Sequence, residues 1–204
     1  MYYELATLTT RLFVTAQATE AIQAWVQAPE ARGRLLGCWY ADIGALNQIL
    51  VVRGFENEAD LLAERRRALL SSSPFNCGEL LTGLEMHSYA GFPWMEPPAP
   101  GTYGPVYEVR TYQYKTGGLQ PTLDAWKAAL PARNEISPCL LAMYALDGTP
   151  RFTHFWPAAS LNERSAARAD AVKQGVWPPK GGPDWLTSNM QSQIFMPTAI
   201  SPLK

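Results

Sequence analysis

The stretch that decides the fold is Val106–Lys115, which reads VYEVRTYQYK. Its polar and apolar residues alternate, which is typical of a β-strand with two different faces. A weaker copy lies near the start of the chain, where the YELAT of Tyr3–Thr7 aligns with the YEVRT of Tyr107–Thr111, 104 residues later. Because the chain has 204 residues, this offset predicts a duplicated unit.

Both halves of the chain repeat one order of elements. The first half predicts strand Tyr2–Phe13, helix Glu20–Ala28 capped by Thr19, hairpin strands Leu35–Ala41 and Leu46–Arg53, helix Glu56–Leu70 and strand Leu80–Tyr89. The second half predicts strand Val106–Lys115, helix Leu119–Leu130, hairpin strands Leu140–Leu146 and Arg151–Trp156, helix Leu161–Gln174 capped by Ser160, and strand Met190–Met196. The order β-α-β-β-α-β indicates the ferredoxin-like arrangement.

A segment rich in proline and glycine separates the two copies. Gly91–Gly104 reads GFPWMEPPAPGTYG, and this composition excludes a continuous helix or a central strand. We therefore predict one ferredoxin-like repeat over residues 1–90, a linker over residues 91–104 and a second repeat over residues 105–204.

A ferredoxin-like sheet is covered by helices on one face only, so its other face needs a partner. Two such sheets can cover each other. We therefore predict an α+β protein in which tandem ferredoxin-like repeats form a dimeric-type α/β barrel. The barrel can close within one chain or between two chains, and the sequence leaves both arrangements open.

Composition narrows the class of protein. A formal net charge of −1 provides no electrostatic footprint for nucleic acid. No apolar stretch approaches the roughly 20 residues that span a bilayer, and the first residues lack a secretory signal, so we expect a cytoplasmic protein without a membrane span. Cys38, Cys77 and Cys139 are widely spaced, which argues against disulfides or a zinc site. We expect neither a metal nor a cofactor.

The second half carries a series of short segments in a fixed order. They are the YEVRTY strand of Tyr107–Tyr112, Ala125-Trp126 in its helix, His154-Phe155-Trp156 on the hairpin, a capped helix that contains arginine, and the closing run Ile200-Ser201-Pro202. This order, together with the duplication, resembles the NIPSNAP family. The first half is a weaker copy, with Val51 and Arg53 where family members commonly carry His and Trp. The resemblance implies a dimeric α/β barrel made of ferredoxin-like units, and it implies no agreed enzymatic activity. We also expect a homo-oligomer.

Five residues of the second half are candidates for a ligand site. Alternation puts Glu108, Arg110 and Tyr112 on one face of the opening strand, and His154 and Trp156 on one face of the hairpin strand. If these side chains face the space between the sheets, they line a cavity for a small organic acid or hydrophobic metabolite. Arg110 would then pair with a carboxylate and His154 would act as acid or base. The alternative is an internal Glu108–Arg110 network with a structural histidine.

Two classes of function fit this pattern. The first is a small-ligand-binding or protein-interaction module without a defined reaction. The second is an enzyme that resembles the cofactor-independent monooxygenases or isomerases of such barrels and acts on a small hydrophobic metabolite between the sheets. Either His87 or His154 could ligate haem, although a lone histidine is more often structural. A cavity between the sheets is the feature that separates the two hypotheses.

Overall fold

The computed structural model describes all residues, Met1–Lys204, and shows one closed β-barrel with helices on its outside. The strands are β1 (Tyr2–Thr10), β2 (Arg34–Ile43), β3 (Gln48–Phe55), β4 (Leu81–Gly91), β5 (Val106–Tyr114), β6 (Leu141–Ala145), β7 (Arg151–Ala158) and β8 (Leu186–Pro197). The helices are α1 (Thr15–Val26), α2 (Glu58–Leu70), α3 (Leu119–Asn134), α4 (Leu161–Lys173) and the short α5 (Gly182–Trp185). None of them is both long enough and apolar enough to cross a lipid bilayer.

The barrel consists of two four-stranded sheets joined at their edges. The strand order around it is β1-β3-β2-β8-β5-β7-β6-β4, so each half contributes the order of a ferredoxin-like unit, β4-β1-β3-β2 and β8-β5-β7-β6. Antiparallel pairs between β2 and β8 and between β4 and β6 close the ring. The predicted α+β fold with tandem ferredoxin-like repeats is confirmed, and the barrel closes within a single chain.

Most element boundaries differ from the sequence prediction by one to five residues, and two of the larger differences have a physical reason. Helix α1 begins at Thr15, not at Glu20, and Thr19 lies inside it and donates its hydroxyl to the Thr15 carbonyl at 2.7 Å. The last strand begins at Leu186, four residues before the predicted Met190. Its first residues have weak strand propensity, but pairing with β5 holds them extended.

One end of the barrel interior is filled by apolar side chains from all eight strands. Trp39 is fully buried there and its ring packs 5.2 Å from Tyr107 and 5.4 Å from Phe155. The Trp39 ring lies across Gly37, where an added Cβ would meet it at 1.8 Å. Only glycine therefore lets this indole fold back into the core.

The C-terminal run joins the two halves at the seam between β2 and β8. The Ser201 hydroxyl accepts a hydrogen bond from the Cys38 amide at 3.0 Å and donates one to the Leu203 carbonyl at 2.7 Å. Thr198 donates its hydroxyl to the Cys38 carbonyl at 3.0 Å. The closing run thus contributes contacts between the repeats in addition to strand pairing.

Candidate functional site

The two faces of β5 have different surroundings. Tyr107 and Val109 belong to the apolar core inside the barrel, while Glu108, Arg110 and Tyr112 lie on the opposite face, under α3 and α4. The predicted alternation is therefore correct. The hypothesis that the polar set faces the inter-sheet space is wrong, because the interior takes the more apolar set and α4 supplies basic partners for Glu108 on the outside.

Pairing between β5 and β7 brings the five candidate residues together. Glu108 lies opposite Trp156, and Arg110 lies opposite His154. Tyr112 follows on the same face, and its ring centroid is 5.0 Å from that of His154. The sequence therefore grouped the correct side chains, although it did not show which face of the sheet they occupy.

Glu108 is the only carboxylate in this group, and both of its oxygens accept hydrogen bonds. Its side chain is 2% exposed and accepts hydrogen bonds from Arg110 at 2.5 Å, Ser192 at 2.6 Å and Arg164 Nε at 3.0 Å. Arg168 lies 4.0 Å away. Burial acts to raise the pKa of Glu108, but the hydrogen bonds from Arg164 and Ser192 and the charge of Arg110 outweigh it and lower the pKa to about 2. Glu108 therefore remains ionised at neutral pH.

His154 is a neutral hydrogen-bond donor. Its Nδ1 accepts a hydrogen bond of 2.6 Å from Trp156 Nε1, so the single proton of the neutral ring is on Nε2. Burial, followed by the charge of Arg110, lowers the pKa of His154 well below 6.5. Nε2 is buried and has no hydrogen-bond partner. A buried donor of this kind is costly unless a ligand or water uses it.

A small polar chamber lies next to His154. Its volume is about 10 Å³, which is room for about one water. Two further basic groups line it with unused donors: Arg133 Nε is buried without a partner, and Arg168 makes no side-chain hydrogen bond, only the long ion pair to Glu108. The Tyr112 hydroxyl accepts a hydrogen bond from Arg110 Nε at 2.5 Å and keeps its own proton available.

The chamber adjoins a larger cavity of about 570 Å³ between α3, α4, α5 and β8, within the size range of small-molecule sites. Arg110, Tyr112, Arg168 and Trp177 line both spaces. The larger cavity is otherwise mainly aromatic and aliphatic, with walls formed by Ala125, Trp126, Val172, Pro178, Pro179, Gly182, Pro183, Trp185, Leu186, Thr187, Ser188 and Met190. The site thus has an apolar body and a cationic end.

Sequence reasoning missed the residues that come from helices and loops. Arg164 and Arg168 are four residues apart on α4, a spacing that puts both on one helix face. That spacing was a usable signal, and it points at the strand face that bears Glu108. Arg133 and Trp177 come from the end of α3 and from the Pro/Gly loop, where no periodic signal exists.

The first half contains the equivalent place without the excess of positive charge. Glu4 lies opposite Arg53, as Glu108 lies opposite Trp156. Arg53 binds Glu4 at 2.6 Å and also binds Glu64, which accepts from Arg67 at 2.9 Å. Two carboxylates thus balance two guanidinium groups. Phe75 is fully buried against Arg53, its ring centroid 5.3 Å from the guanidinium carbon.

The inter-sheet space also contains a cavity. It lies at the end of the barrel interior that the apolar side chains do not fill. Its volume is about 330 Å³. Its floor is apolar, but its mouth is polar and includes Gln113, Gln191 and Arg151. The inter-sheet space is therefore not filled, yet it is not the apolar pocket that the enzyme hypothesis requires, and it contains none of the five candidate residues.

Neither histidine lies in a metal-binding cluster. No group of three or more His, Cys, Asp or Glu side chains is placed to hold a metal ion. The free space at His154 Nε2 is about one water in size and the ring is packed by Trp126 at 4.7 Å, so a haem does not fit against it. His87 lies at the barrel mouth, where its Nδ1 is 3.2 Å from Asp147.

Fold and site together define a tandem ferredoxin-like α/β barrel with a sheet–helix pocket in its second repeat. The NIPSNAP family model matches residues 3–75 and 107–202. The chain therefore belongs to the NIPSNAP family, as the sequence predicted. One matched segment lies in each half of the barrel, and the first ends before β4.

Known proteins support the family and the fold. The chain is 26% identical over 151 residues to a protein NipSnap homolog of Dictyostelium discoideum, and the match covers 70% of this chain and 65% of that protein. The chain thus spans less than two thirds of that relative.

Solved structures with the same fold are also similar to this chain. A protein of Lactobacillus acidophilus provisionally called a monooxygenase has a TM-score of 0.67 at 11% identity, with 96% of this chain and 93% of that one covered. An anthrone oxidase-like protein has a TM-score of 0.61 at 12% identity, with 97% and 91% covered. At these identities the likeness shows the fold alone.

Proposed function

We propose that this NIPSNAP protein binds a small hydrophobic organic acid in the sheet–helix pocket of its second repeat. The observation that carries the proposal is the charge imbalance there. Four arginines, Arg110, Arg133, Arg164 and Arg168, surround the single carboxylate of Glu108. The first repeat has two arginines for two carboxylates at the equivalent place. Uncompensated guanidinium groups beside an apolar cavity favour an anionic ligand.

The lining of the pocket supports a defined orientation of the ligand. Arg168 and Arg110 line the end where the cavity meets the polar chamber, so the acid group belongs there. The hydrophobic body then lies against Trp126, Trp177 and Trp185. A volume of about 570 Å³ accommodates a bicyclic aromatic or a medium-chain acid.

Binding of 1-naphthoate, compared with neutral 1-naphthylmethanol, tests this proposal by calorimetry. We expect the carboxylate to bind at least about tenfold more tightly, because charge-assisted hydrogen bonds contribute about 1.5–3 kcal/mol. Arg168→Met should remove this preference. Arg66→Met is the matched control, because Arg66 is an exposed arginine on the equivalent helix α2. Equal affinity for both probes, or binding of neither, contradicts the proposal.

The second candidate is a cofactor-independent monooxygenase or isomerase acting on a small hydrophobic metabolite. His154, a buried donor with one free N–H at the polar end of the pocket, is the observation that favours it. The reaction would take place in the sheet–helix pocket, not between the sheets. Oxygen consumption and product mass spectra with hydrophobic acids, in wild type and in His154→Phe, distinguish this candidate from binding alone.

We further propose that the protein is a cytoplasmic homo-oligomer and that it binds no nucleic acid. A closed barrel leaves no free sheet edge, so contacts between copies would use other surfaces. The exposed apolar side chains of Phe13, Leu69 and Leu70 are candidates for such contacts. Light scattering after size exclusion measures the oligomeric state, and a Phe13→Ser, Leu70→Ser double variant tests these residues. A monomeric wild type at micromolar concentration contradicts the proposal. Imaging of the tagged chain tests its location.

A further inference from the structure

We propose that the chamber beside His154 is an oxyanion site, and that the ligands of the pocket include weak oxygen acids, phenols and enols, which bind as their anions. This inference rests on the proposed function, because it uses the same pocket. Weak oxygen acids are a class of ligand that a pocket for carboxylates does not by itself imply.

The unused donors around the chamber outnumber the free acceptors. His154 Nε2 and Arg133 Nε are buried without partners, and Arg168 makes no side-chain hydrogen bond. The oxygens of Glu108 are already engaged by Arg110, Arg164 and Ser192. Glu108 Oε2 accepts only from Arg164 Nε, so an atom placed in the chamber meets several unused donors and one partly free acceptor. A ligand O–H would add a further donor to this excess, whereas an anionic oxygen satisfies the unused donors without adding another.

The size of the chamber agrees with a single oxygen. Its volume of about 10 Å³ admits one water-sized group, and the neighbouring cavity of about 570 Å³ admits the ring or chain that carries it. Trp177 and Tyr112 border both spaces, so an aromatic ligand can extend from one into the other.

The charges on every element around the chamber favour the anion. Strand β5 contributes Glu108 and Arg110, α3 contributes Arg133, and α4 contributes Arg164 and Arg168, while Tyr112, His154 and Ser192 add neutral donors. One carboxylate against four guanidinium groups leaves three positive charges uncompensated. An opposite charge within about 4–6 Å typically lowers the pKa of an acid by about 1–3 units.

The proton of the ligand must leave the site. The ligand O–H bond breaks and its electron pair stays on oxygen. His154 cannot take the proton, because Nδ1 accepts from Trp156 and Nε2 is already protonated. Glu108 is too weak a base, since its pKa is about 2. The proton therefore passes to the solvent, and binding at a pH between the pKa values of the bound and the free ligand releases up to one proton per ligand. In this inference His154 acts as a hydrogen-bond donor, whereas the sequence analysis expected it to act as acid or base.

4-Nitrophenol tests the proposal, because only its anion absorbs near 400 nm. We expect the pKa of the bound probe to fall by at least about one unit, so that absorbance rises up to about tenfold when protein is added well below the midpoint of the free probe. Calorimetry in buffers of different ionisation enthalpy should show the released proton. A bound probe whose pKa equals that of the free probe contradicts the inference.

Variants assign the effect to the chamber. His154→Phe should abolish most of the pKa shift, while His154→Gln, which keeps an N–H donor, should retain part of it. Arg168→Met provides an independent test if His154→Phe does not fold, because Arg168 is partly exposed, and Arg66→Met should behave as wild type. If wild type binds 1-naphthoate but not 4-nitrophenol, only this inference is wrong; if it binds neither, the proposed function is wrong as well.

Discussion

Trp156 Nε1 donates a hydrogen bond of 2.6 Å to His154 Nδ1 inside the second repeat. This contact determines which nitrogen of a neutral, fully buried imidazole carries the proton. The Trp156–His154 hydrogen bond therefore makes Nε2 the protonated nitrogen, and His154 lines the polar chamber as a hydrogen-bond donor.

Trp156→Phe should release that constraint. The variant leaves Nδ1 without its donor, so we expect a loss of about 1–3 kcal/mol in the free energy of unfolding. In ¹⁵N NMR the wild-type ring should show protonated Nε2 and unprotonated Nδ1, and the variant a mixture of tautomers.

Trp25→Phe is the control for lost volume, because Trp25 is 6% exposed, close to the 5% of Trp156, and its Nε1 has no partner. A variant Trp156→Phe that keeps one pure tautomer would show that this contact does not select the proton position.

His154 should make stability fall as the solution becomes acidic. The pKa of His154 in the folded chain lies well below 6.5. Below pH 6.5 the imidazole therefore binds a proton in the unfolded chain but not in the folded chain. The stabilising contribution is thus complete above pH 6.5 and is lost as pH falls toward the folded pKa, by up to about 1.4 kcal/mol per pH unit.

Urea unfolding at pH 7.5 and pH 5.5 measures this effect. His154→Gln, which has no proton to gain, should show a smaller difference between the two pH values than wild type. His87 is present in both proteins, so the comparison isolates residue 154. An unchanged pH dependence in the variant would mean that His154 is not the titrating group.

The order of strands and helices was predictable because its signals are local. Alternation in Val106–Lys115, the Ser160 cap and the loops rich in proline and glycine each act within a few residues. Closure within one chain, as opposed to between two chains, was not predictable, since the β2–β8 and β4–β6 pairs join distant segments and need only free backbone edges. The sequence of a strand at either seam does not identify the strand with which it pairs.

The orientation of the site was unpredictable for a related reason. Both faces of β5 carry polar and aromatic residues, so the difference in hydrophobicity between the two faces is too small to predict the orientation by itself. The choice is made by Arg164 and Arg168, which reach Glu108 from α4. Residue alternation shows which side chains share a face, but the direction of that face depends on which helix packs against it.

The first repeat contains a buried charge network that should be structural. Arg53 is 1% exposed and binds both Glu4 and Glu64. Arg53→Ala would leave two buried carboxylates without that partner, so we expect a loss of about 3–5 kcal/mol in the free energy of unfolding. Arg32→Ala is the control, since the Arg32–Asp60 pair is exposed and should contribute at most about 1 kcal/mol. Equal losses in chemical denaturation would contradict this assignment.

The division of the chain at residues 90–105 remains a prediction, and separate fragments can test it. Fragment 1–104 would expose the edges of β2 and β4, which pair with β8 and β6 in the intact chain. It would also expose an interior face on which Tyr3 and Trp39 belong to a core shared with Tyr107 and Phe155.

We therefore expect fragments 1–104 and 105–204 to self-associate when alone and to form a 1:1 complex when mixed. The mixture should recover the barrel, because the pairs that close it need no covalent linker. Light scattering after size exclusion gives the masses, and near-ultraviolet circular dichroism reports whether the tryptophan core forms again. A folded, monomeric 1–104 at micromolar concentration would show that the first repeat does not need the second to cover its inner face.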